Sequence, residues 1–358
     1  MPNQPSDHSP LVSVVLVYGG KSPVFGACLE GLAAQEYPAC DVLIINNAPQ
    51  HDVTDEVRRI LPASTIITNP TNLGFAKAVN QGWRAAAGEF IATLNDDAIP
   101  EPLWLRHLVD AMIPHPQVGS CTSTVVFSDR PNVINSAGIA IDRAGIMWDW
   151  RGGEADDLGR QREPVDVFGA CAAAALYRRT MIEELDGFAE DYFAYLEDVD
   201  LAWRARLRGW RCLYVPAARV SHLHSASSRD RPSFKNYLLA RNKVWTLLRD
   251  YPLPQLAVYV PIILLYDALF VAYRLLAEGD ASALRGRLAA LGAVRRCLRE
   301  RRRIQRSATP EGRRATWALM APLTSPLAVR RRYAHLIHLP PPSPAGDGSP
   351  ASGPSGSS

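Results

Sequence analysis

Apolar, β-branched runs alternate with helical-period segments from residue 11 to residue 97. Residues 11–17 and 41–45 are near-continuous apolar runs, the pattern of strands buried on both faces of a parallel sheet. Residues 64–68 and 90–94 repeat it. Between these runs the spacing predicts helices over 23–35, 52–61 and 72–87. Strands and helices in alternation make a βαβ series, with helices on both faces of the sheet. Ligands of such sheets sit at the carboxyl ends of the strands. Tyr18, Asn46, Asn72 and the pair Asp96/Asp97 all fall at such ends.

Downstream the period predicts a helix over 104–112, a strand over 118–127, an apolar strand region over 165–177 and a short helix over 180–185. A strand over 211–215 follows, with residues 220–224 just beyond it, then an aromatic and basic helix over 234–249. Residues 142–164 are Gly-rich and charged, with Trp148 and Trp150 and little period. A connection that long reads as a mobile active-site loop. Residues 193–210 carry Glu197, Asp198 and Asp200 at the start of a helical period that stops at Gly209. Acids in a helix's first turn are favoured by the dipole, so simple capping competes with chemistry there.

Composition adds an asymmetry. Net charge is +3, with 47% hydrophobic residues. From Phe270 onward there are fifteen Arg, no Lys and five acids, a balance of +10 that leaves −7 for the rest. The 18-residue apolar run 256–273 is interrupted by Pro261 and Asp267 and followed by Arg274. It reads as a membrane-inserted or interfacial helix pair, or as a buried helix. An apolar run followed by the basic, helical-period segment 285–306 favours the cytoplasmic leaflet of a membrane. Nucleic acid is not expected, because no recognition motif accompanies the arginines. The six cysteines lack metal spacing and read as buried thiols of a reducing compartment. Residues 1–10 have no apolar core, so no secretory signal is expected. Residues 340–358 are Pro/Gly/Ser-rich and expected to be disordered.

The candidate chemistry starts at Asn95-Asp96-Asp97. Two adjacent carboxylates at a strand end repel each other and want a counter-charge. Mg²⁺ or Mn²⁺ together with a diphosphate supplies one. The competing reading is a turn, which Asn and Asp form readily. His222 and His224 are metal ligands or ordinary surface histidines.

Taken in order, the pieces resemble the family 2 glycosyltransferases of the GT-A fold, in particular the rhamnosyltransferase-like branch. They are Ser13-Val-Val-Leu-Val17, Ile44-Ile-Asn-Asn-Ala48, Asn72-Leu-Gly-Phe-Ala-Lys-Ala-Val-Asn-Gln-Gly82, Leu94-Asn-Asp-Asp97, Gly169-Ala-Cys-Ala-Ala173, Leu185-Asp-Gly-Phe188, the 193–209 stretch, Val215 to His222, and Arg241-Asn242. The resemblance runs over residues 11–249. It implies an α/β fold: a GT-A type, mostly parallel sheet flanked by helices, with a C-terminal helical membrane-associating extension. The implied organisation is a disordered 1–10, a glycosyltransferase domain over 11–250, an Arg-rich membrane-associating region over 251–338 and a disordered tail over 339–358.

The resemblance also implies site residues. Asp97 and His222 would bind the metal, Mg²⁺ or Mn²⁺. Asp198 would be the catalytic base, with Glu197 beside it. Val17, Tyr18, Asn46, Lys77, Asn80, Asn95 and Asp96 would line the site of a nucleoside diphosphate sugar, dTDP-rhamnose or a UDP-sugar. Asp96 would face the ribose or the sugar. Crowding by Glu197 and Asp200 would raise the Asp198 pKa. The acceptor would be a glycan or lipid-linked molecule at the cytoplasmic membrane surface, in cell-envelope synthesis. Two other classes stay open: a membrane-tethered sugar-nucleotide or glycan-binding module, and a nucleotidyltransferase. The chain departs from the family at two places. Tyr18-Gly19-Gly20 replaces the usual Thr-Tyr-Asn, and Asn46-Asn47 replaces Asp-Asn.

Overall fold

The computed structural model describes residues 9–20, 22–156, 163–223, 232–325 and 327–328. His224, most of 1–10 and the 340–358 tail lie outside them. The predicted alternation folds as β1 (Val12–Tyr18), α1 (Phe25–Ala33), β2 (Cys40–Asn46), α2 (Thr54–Ile60), β3 (Thr65–Thr68), α3 (Phe75–Ala85) and β4 (Phe90–Asn95). These four strands are parallel, in the order β3-β2-β1-β4. β1 is buried along its whole length. Val12, Val14 and Leu16 pack with α1 residues such as Leu29, whereas Val15 and Val17 pack with Val79 of α3. Residues that alternate between two buried faces must all be apolar, which is why the run is continuous.

Beyond β4 the sheet becomes mixed. It adds β5 (Ala98–Pro100), β6 (Val118–Phe127), β7 (Arg130–Ser136), β10 (Val165–Asp166), β11 (Ala174–Arg178) and β12 (Arg211–His222), with α4 (Trp104–Met112) between β5 and β6. β11 lies antiparallel between β4 and β6, and β12 runs parallel to β6. The expected single strand over 165–177 is therefore two strands, because residues 167–173 turn away to build the site. The expected strand over 211–215 continues to His222 through a register shift between Val215 and Arg219. Residues 142–156 are not the expected loop. β8 (Ile139–Ile141) pairs with β9 (Met147–Asp149), and fully buried Asp142 accepts the N–H groups of Ala144, Ile146 and Thr324.

The remaining helices are α5 (Arg179–Leu185), α6 (Glu197–Leu207), α7 (Pro232–Asp250), α8 (Leu253–Ala277), α9 (Ser282–Leu291), α10 (Val294–Ser307) and α11 (Pro310–Leu319). Trp203 of α6 packs with Tyr251, Ile263 and Ile304, and Trp245 of α7 with Ala290 and Cys297. The C-terminal helices thus share cores with the α/β body. The 256–273 run is neither a helix pair nor a buried helix. α8 passes through Pro261 unbroken, and Ile263 is its one buried residue. Among the described residues it is the one helix long and apolar enough to cross a membrane.

Candidate active site

The carboxyl ends of β1 and β4 lie side by side, Val17 opposite Asn95. Asp96 follows directly, 9% exposed, and its Oδ2 accepts the Gly19 N–H at 2.7 Å. The departure at Tyr18-Gly19-Gly20 has a steric reason here. Gly20 has φ +93°, and a Cβ on it would stand 2.5 Å from the Ala48 Cβ. Burial raises the Asp96 carboxyl to about 7, with the Asp97 charge adding to it against the Gly19 N–H bond.

Strand pairing, not sequence proximity, brings the next two residues together. β5 runs antiparallel to β12 with Ala98 opposite His222. Asp97 Oδ1 and His222 Nε2 are then 2.9 Å apart, both buried, and Asn95 Nδ2 lies 3.5 Å from the same nitrogen. His222 Nδ1 faces Asn135 Oδ1 at 2.9 Å. With the proton on Nδ1, donated to Asn135, the Nε2 lone pair points toward Asp97, the arrangement of a metal-ligating histidine. Two cis ligands of an octahedral Mg²⁺, each roughly 2.0–2.1 Å from the ion, stand about 3 Å apart. The pair fits as the protein's share of such a site, with diphosphate and water completing it. Among the described residues no group of three or more His, Cys, Asp or Glu side chains could hold a metal unaided.

The second carboxylate group stands at the start of α6. Three non-glycine residues before it, Phe193, Tyr195 and Leu196, have φ between +66° and +69°. Such conformations are costly unless the surroundings impose them. Asn242 of α7 imposes them, its Nδ2 donating to the carbonyls of Tyr192, Ala194 and Tyr195 at 2.7–3.1 Å. Arg241 adds a bond to the Tyr192 carbonyl at 2.8 Å. Gly74, φ +84°, presses on the same segment, where a Cβ would lie 2.5 Å from the Phe193 carbonyl oxygen. The Asn72-Leu-Gly-Phe and Arg-Asn motifs thus both serve this turn.

The turn presents Asp198 half-buried, its Oδ1 accepting the Val199 N–H at 2.8 Å and its Oδ2 the Ala172 N–H at 3.3 Å. Ala172 is tied to β4 by Thr93, whose hydroxyl donates to its carbonyl at 2.8 Å. One short segment, 169–173, therefore joins the strand ends to Asp198. Gly169 lets it approach α6, since a Cβ there would meet the Ala202 Cβ at 2.2 Å. Burial raises the Asp198 carboxyl to about 6, with the charge of Asp149 adding to it. The expected crowding of Asp198 and Glu197 raises the Glu197 carboxyl, second to burial.

Several expected site residues stand elsewhere. Glu197 is 6% exposed, its Oε2 has no hydrogen-bond partner, and burial raises its carboxyl to about 8. Burial, with the Asp198 charge adding to it, thus favours its protonated form. Asp200 is no helix cap. It is fully buried and paired with Arg204 at 2.7 Å and Arg249 at 3.2 Å. These guanidinium charges hold its carboxyl below the usual range against the burial that would raise it. Asn46 is 2% exposed, with Oδ1 accepting the Ala48 N–H and Nδ2 donating to the His51 carbonyl. It shapes that turn. Asn80, fully buried, is saturated by Trp83, both backbone groups of Phe188 and Glu190. It lines a cavity of about 410 Å³ that includes Arg204 and Arg296 but none of the strand-end residues. Lys77 is exposed on that same flank, where its charge acts on Glu190. Val17 and Tyr18 remain as nearly buried walls at the end of β1.

One residue at the site escaped the sequence reading. Asp149 closes β9, and its electrostatic neighbours are Ser136, Lys235 and His222, with Asp198 and Cys171 feeling its charge. Its setting in Trp148-Asp149-Trp150 was the available signal.

The chain is similar to known proteins. The model of the family described as "Glycosyl transferase family 2" matches residues 13–186. The O-antigen biosynthesis protein RfbC of Myxococcus xanthus is 25% identical over 230 residues, covering 62% of this chain and 18% of that protein. An N-acetylglucosaminyl-diphospho-decaprenol L-rhamnosyltransferase of Mycobacterium tuberculosis is 28% identical over 270 residues, covering 68% of this chain and 85% of the enzyme. The solved structure of Staphylococcus aureus TarS residues 1–349 superposes with a TM-score of 0.51 at 15% identity, over 83% of this chain and 90% of that one, which shows a shared fold. The family model begins in β1, takes in the Asp96-Asp97 strand end and stops just after α5, before the turn that leads into α6. The chain thus carries a glycosyl transferase family 2 domain over residues 13–186, a little under half of its length.

Proposed function

We propose that the protein moves a sugar from a nucleoside diphosphate to an acceptor hydroxyl in one inverting displacement. The observation that carries this is Asp198: a half-buried carboxylate raised to about 6, joined through residues 169–173 to the end of β4 beside Asp96 and Asp97. A base near that pKa is ionised at neutral pH and still basic enough to take a proton. In the displacement Asp198 accepts the acceptor hydroxyl proton. The freed oxygen attacks the anomeric carbon from the face opposite the diphosphate, the carbon–oxygen bond to phosphate breaks, and the anomeric centre inverts. Asp97 and His222 would hold Mg²⁺ or Mn²⁺, which when bound supplies positive charge against the diphosphate. Tyr18, Val17, Asn95 and Asp96 would wall the donor site.

The relative named as an N-acetylglucosaminyl-diphospho-decaprenol L-rhamnosyltransferase supports rhamnose as the sugar and a lipid-linked acceptor. Our reading adds dTDP-rhamnose as the donor, with UDP-sugars next, a polysaccharide as the other acceptor, and the inner face of the cell membrane as the place. Replacement of Asp198 by Asn should lower transfer by about 10²–10⁴-fold while donor binding changes little. Transfer near the wild-type rate would remove Asp198 as the base. Asp97→Ala should instead weaken donor binding measured by calorimetry with Mn²⁺ or Mg²⁺. A donor affinity indifferent to metal and to this substitution sinks the metal part. Donor binding with no transfer to any acceptor tried would favour a binding module.

A further inference from the structure

We infer that α8, with the outward side of α9 and α10, is a docking surface that lies flat on an anionic lipid bilayer and does not cross it. This extends the membrane part of the reading above and is independent of the chemistry at Asp198.

The polar and apolar residues of α8 are sorted by face. Its charged groups turn inward. Asp267 bonds Lys243 of α7 at 2.6 Å and Arg287 of α9 at 2.7 Å, and Arg274 pairs with Glu278 and Asp280. Ile263 is buried on that inner side with Leu256 and Tyr259, and Tyr259 packs its ring 5.6 Å from that of Trp317. The outer side is apolar and bare: Leu253, Val258, Leu264, Leu265, Leu269 and Leu276 are all exposed. Twenty-five residues make a helix about 37 Å long. An apolar strip of that length is larger than the scattered exposed leucines of an ordinary surface.

Crossing a bilayer fails on Asp267. It falls near the middle of the helix, so a span would place a carboxylate in hydrocarbon and tear it from Lys243 and Arg287. Lying in the interface leaves those pairs intact and buries only the outer face. The neighbouring helices adjoin it, α9 through the Arg287–Asp267 pair and α10 through Arg302, which lines a cleft with Leu253. Leu288, Leu291 and Leu298 are exposed, and Arg295, Arg299 and Arg302 are exposed beside them. Leucines interleaved with arginines suit an anionic headgroup layer. A second copy of the chain suits it less well, because facing surfaces would set arginine against arginine.

The test is flotation of the full chain with vesicles of phosphatidylcholine and phosphatidylglycerol. The chain should float with these and far less with phosphatidylcholine alone. The triple variant Leu264→Asp, Leu265→Asp, Leu269→Asp should lose flotation at least about tenfold while its melting temperature and donor binding stay as in the wild type. Arg295→Glu, Arg299→Glu, Arg302→Glu should lose the preference for the anionic lipid. Single variants Leu253→Cys and Leu276→Cys should both react with a membrane-impermeant maleimide in the free protein and should both be shielded from it once the chain is bound to vesicles from outside. Wild-type protein left at the bottom of the gradient overturns the proposal. So does a floating Leu→Asp variant, or shielding of one end of α8 while the other still reacts, which would mean a span. A dimer broken by the Leu→Asp variant without vesicle binding would overturn it in favour of self-association. Failed flotation with intact donor binding removes the docking surface alone, and the reverse result removes the donor chemistry alone.

Discussion

The two carboxylate groups of the site are held by different means. Asp96 and Asp97 leave the end of a buried strand and are placed by sheet register, Val17 opposite Asn95 and Ala98 opposite His222. Backbone ladders do that work, and the residues on them need only be apolar. Asp198 is placed by a turn of three positive-φ residues that would not form unaided. Its geometry depends on side chains far away in sequence, Asn242, Arg241 and Arg249, and on the Asp200–Arg204 pair of its own helix that Arg249 joins. The strand end should therefore tolerate perturbation of α6 and α7, and the helix end should not.

The largest effect should come from the buried ions under α6. Arg204 reaches the carbonyls of Leu185 and Gly187 as well as Asp200, so it fastens the Leu185-Asp-Gly-Phe turn to the helix. Arg204→Met leaves part of the Asp200 charge uncompensated and should cost about 3–5 kcal/mol, read from urea unfolding. A loss below ~1 kcal/mol would mean that Arg249 alone suffices and that the helix end is less dependent on this cluster than its contacts indicate.

Asn242→Ala comes next. The Ala194 and Tyr195 carbonyls lose their donor while that of Tyr192 keeps Arg241, which should cost about 2–3 kcal/mol, and the positive-φ turn is released. Transfer should collapse while metal-dependent donor binding at Asp97 survives. If donor binding and transfer fell together, the two groups would be one mechanical unit and the contrast between them would be wrong.

The sequence made the first group legible and hid the second. Apolar runs ending in Asn or Asp mark strand ends, so the parallel half of the sheet and the Asp96/Asp97 position could be read directly. Nothing in Phe193, Tyr195 or Leu196 announces a left-handed backbone, because none of them is a residue that favours it. Asp200 and Arg204 do stand four apart, the spacing of a helical ion pair. Position in the first turn suggested a cap instead, and only burial distinguishes the two. Asn46 and Asn80 match family positions, yet their polar atoms are spent within the protein. β5, β8, β9 and β10 have two or three residues each, too few to show a period of two.

A smaller effect separates Glu197 from its neighbour. Its carboxyl is raised from 4.5 to about 8 in the fold. Between those values the folded chain holds a proton that the unfolded chain does not, so wild-type stability falls as pH rises through that window and levels off above it. Glu197→Gln removes the slope. The variant should gain on the wild type by about 1–2 kcal/mol near pH 8 and keep its transfer rate. Loss of transfer in this variant would return Glu197 to the reaction.

The smallest effect concerns Asp149, which belongs to neither group and lies electrostatically between them. Transfer requires an ionised Asp198, so kcat/KM should fall as pH drops through about 6. Burial is the leading cause of that value and would survive substitution of Asp149. The Asp149 charge raises it further, so Asp149→Asn should move the acid limb to lower pH by less than about one unit. A shift to higher pH, or none, would mean that the Asp149 charge does not reach the base. A shift accompanied by lost metal dependence would mean that β9 governs the strand end through His222 as well, and the two groups would then share one regulator.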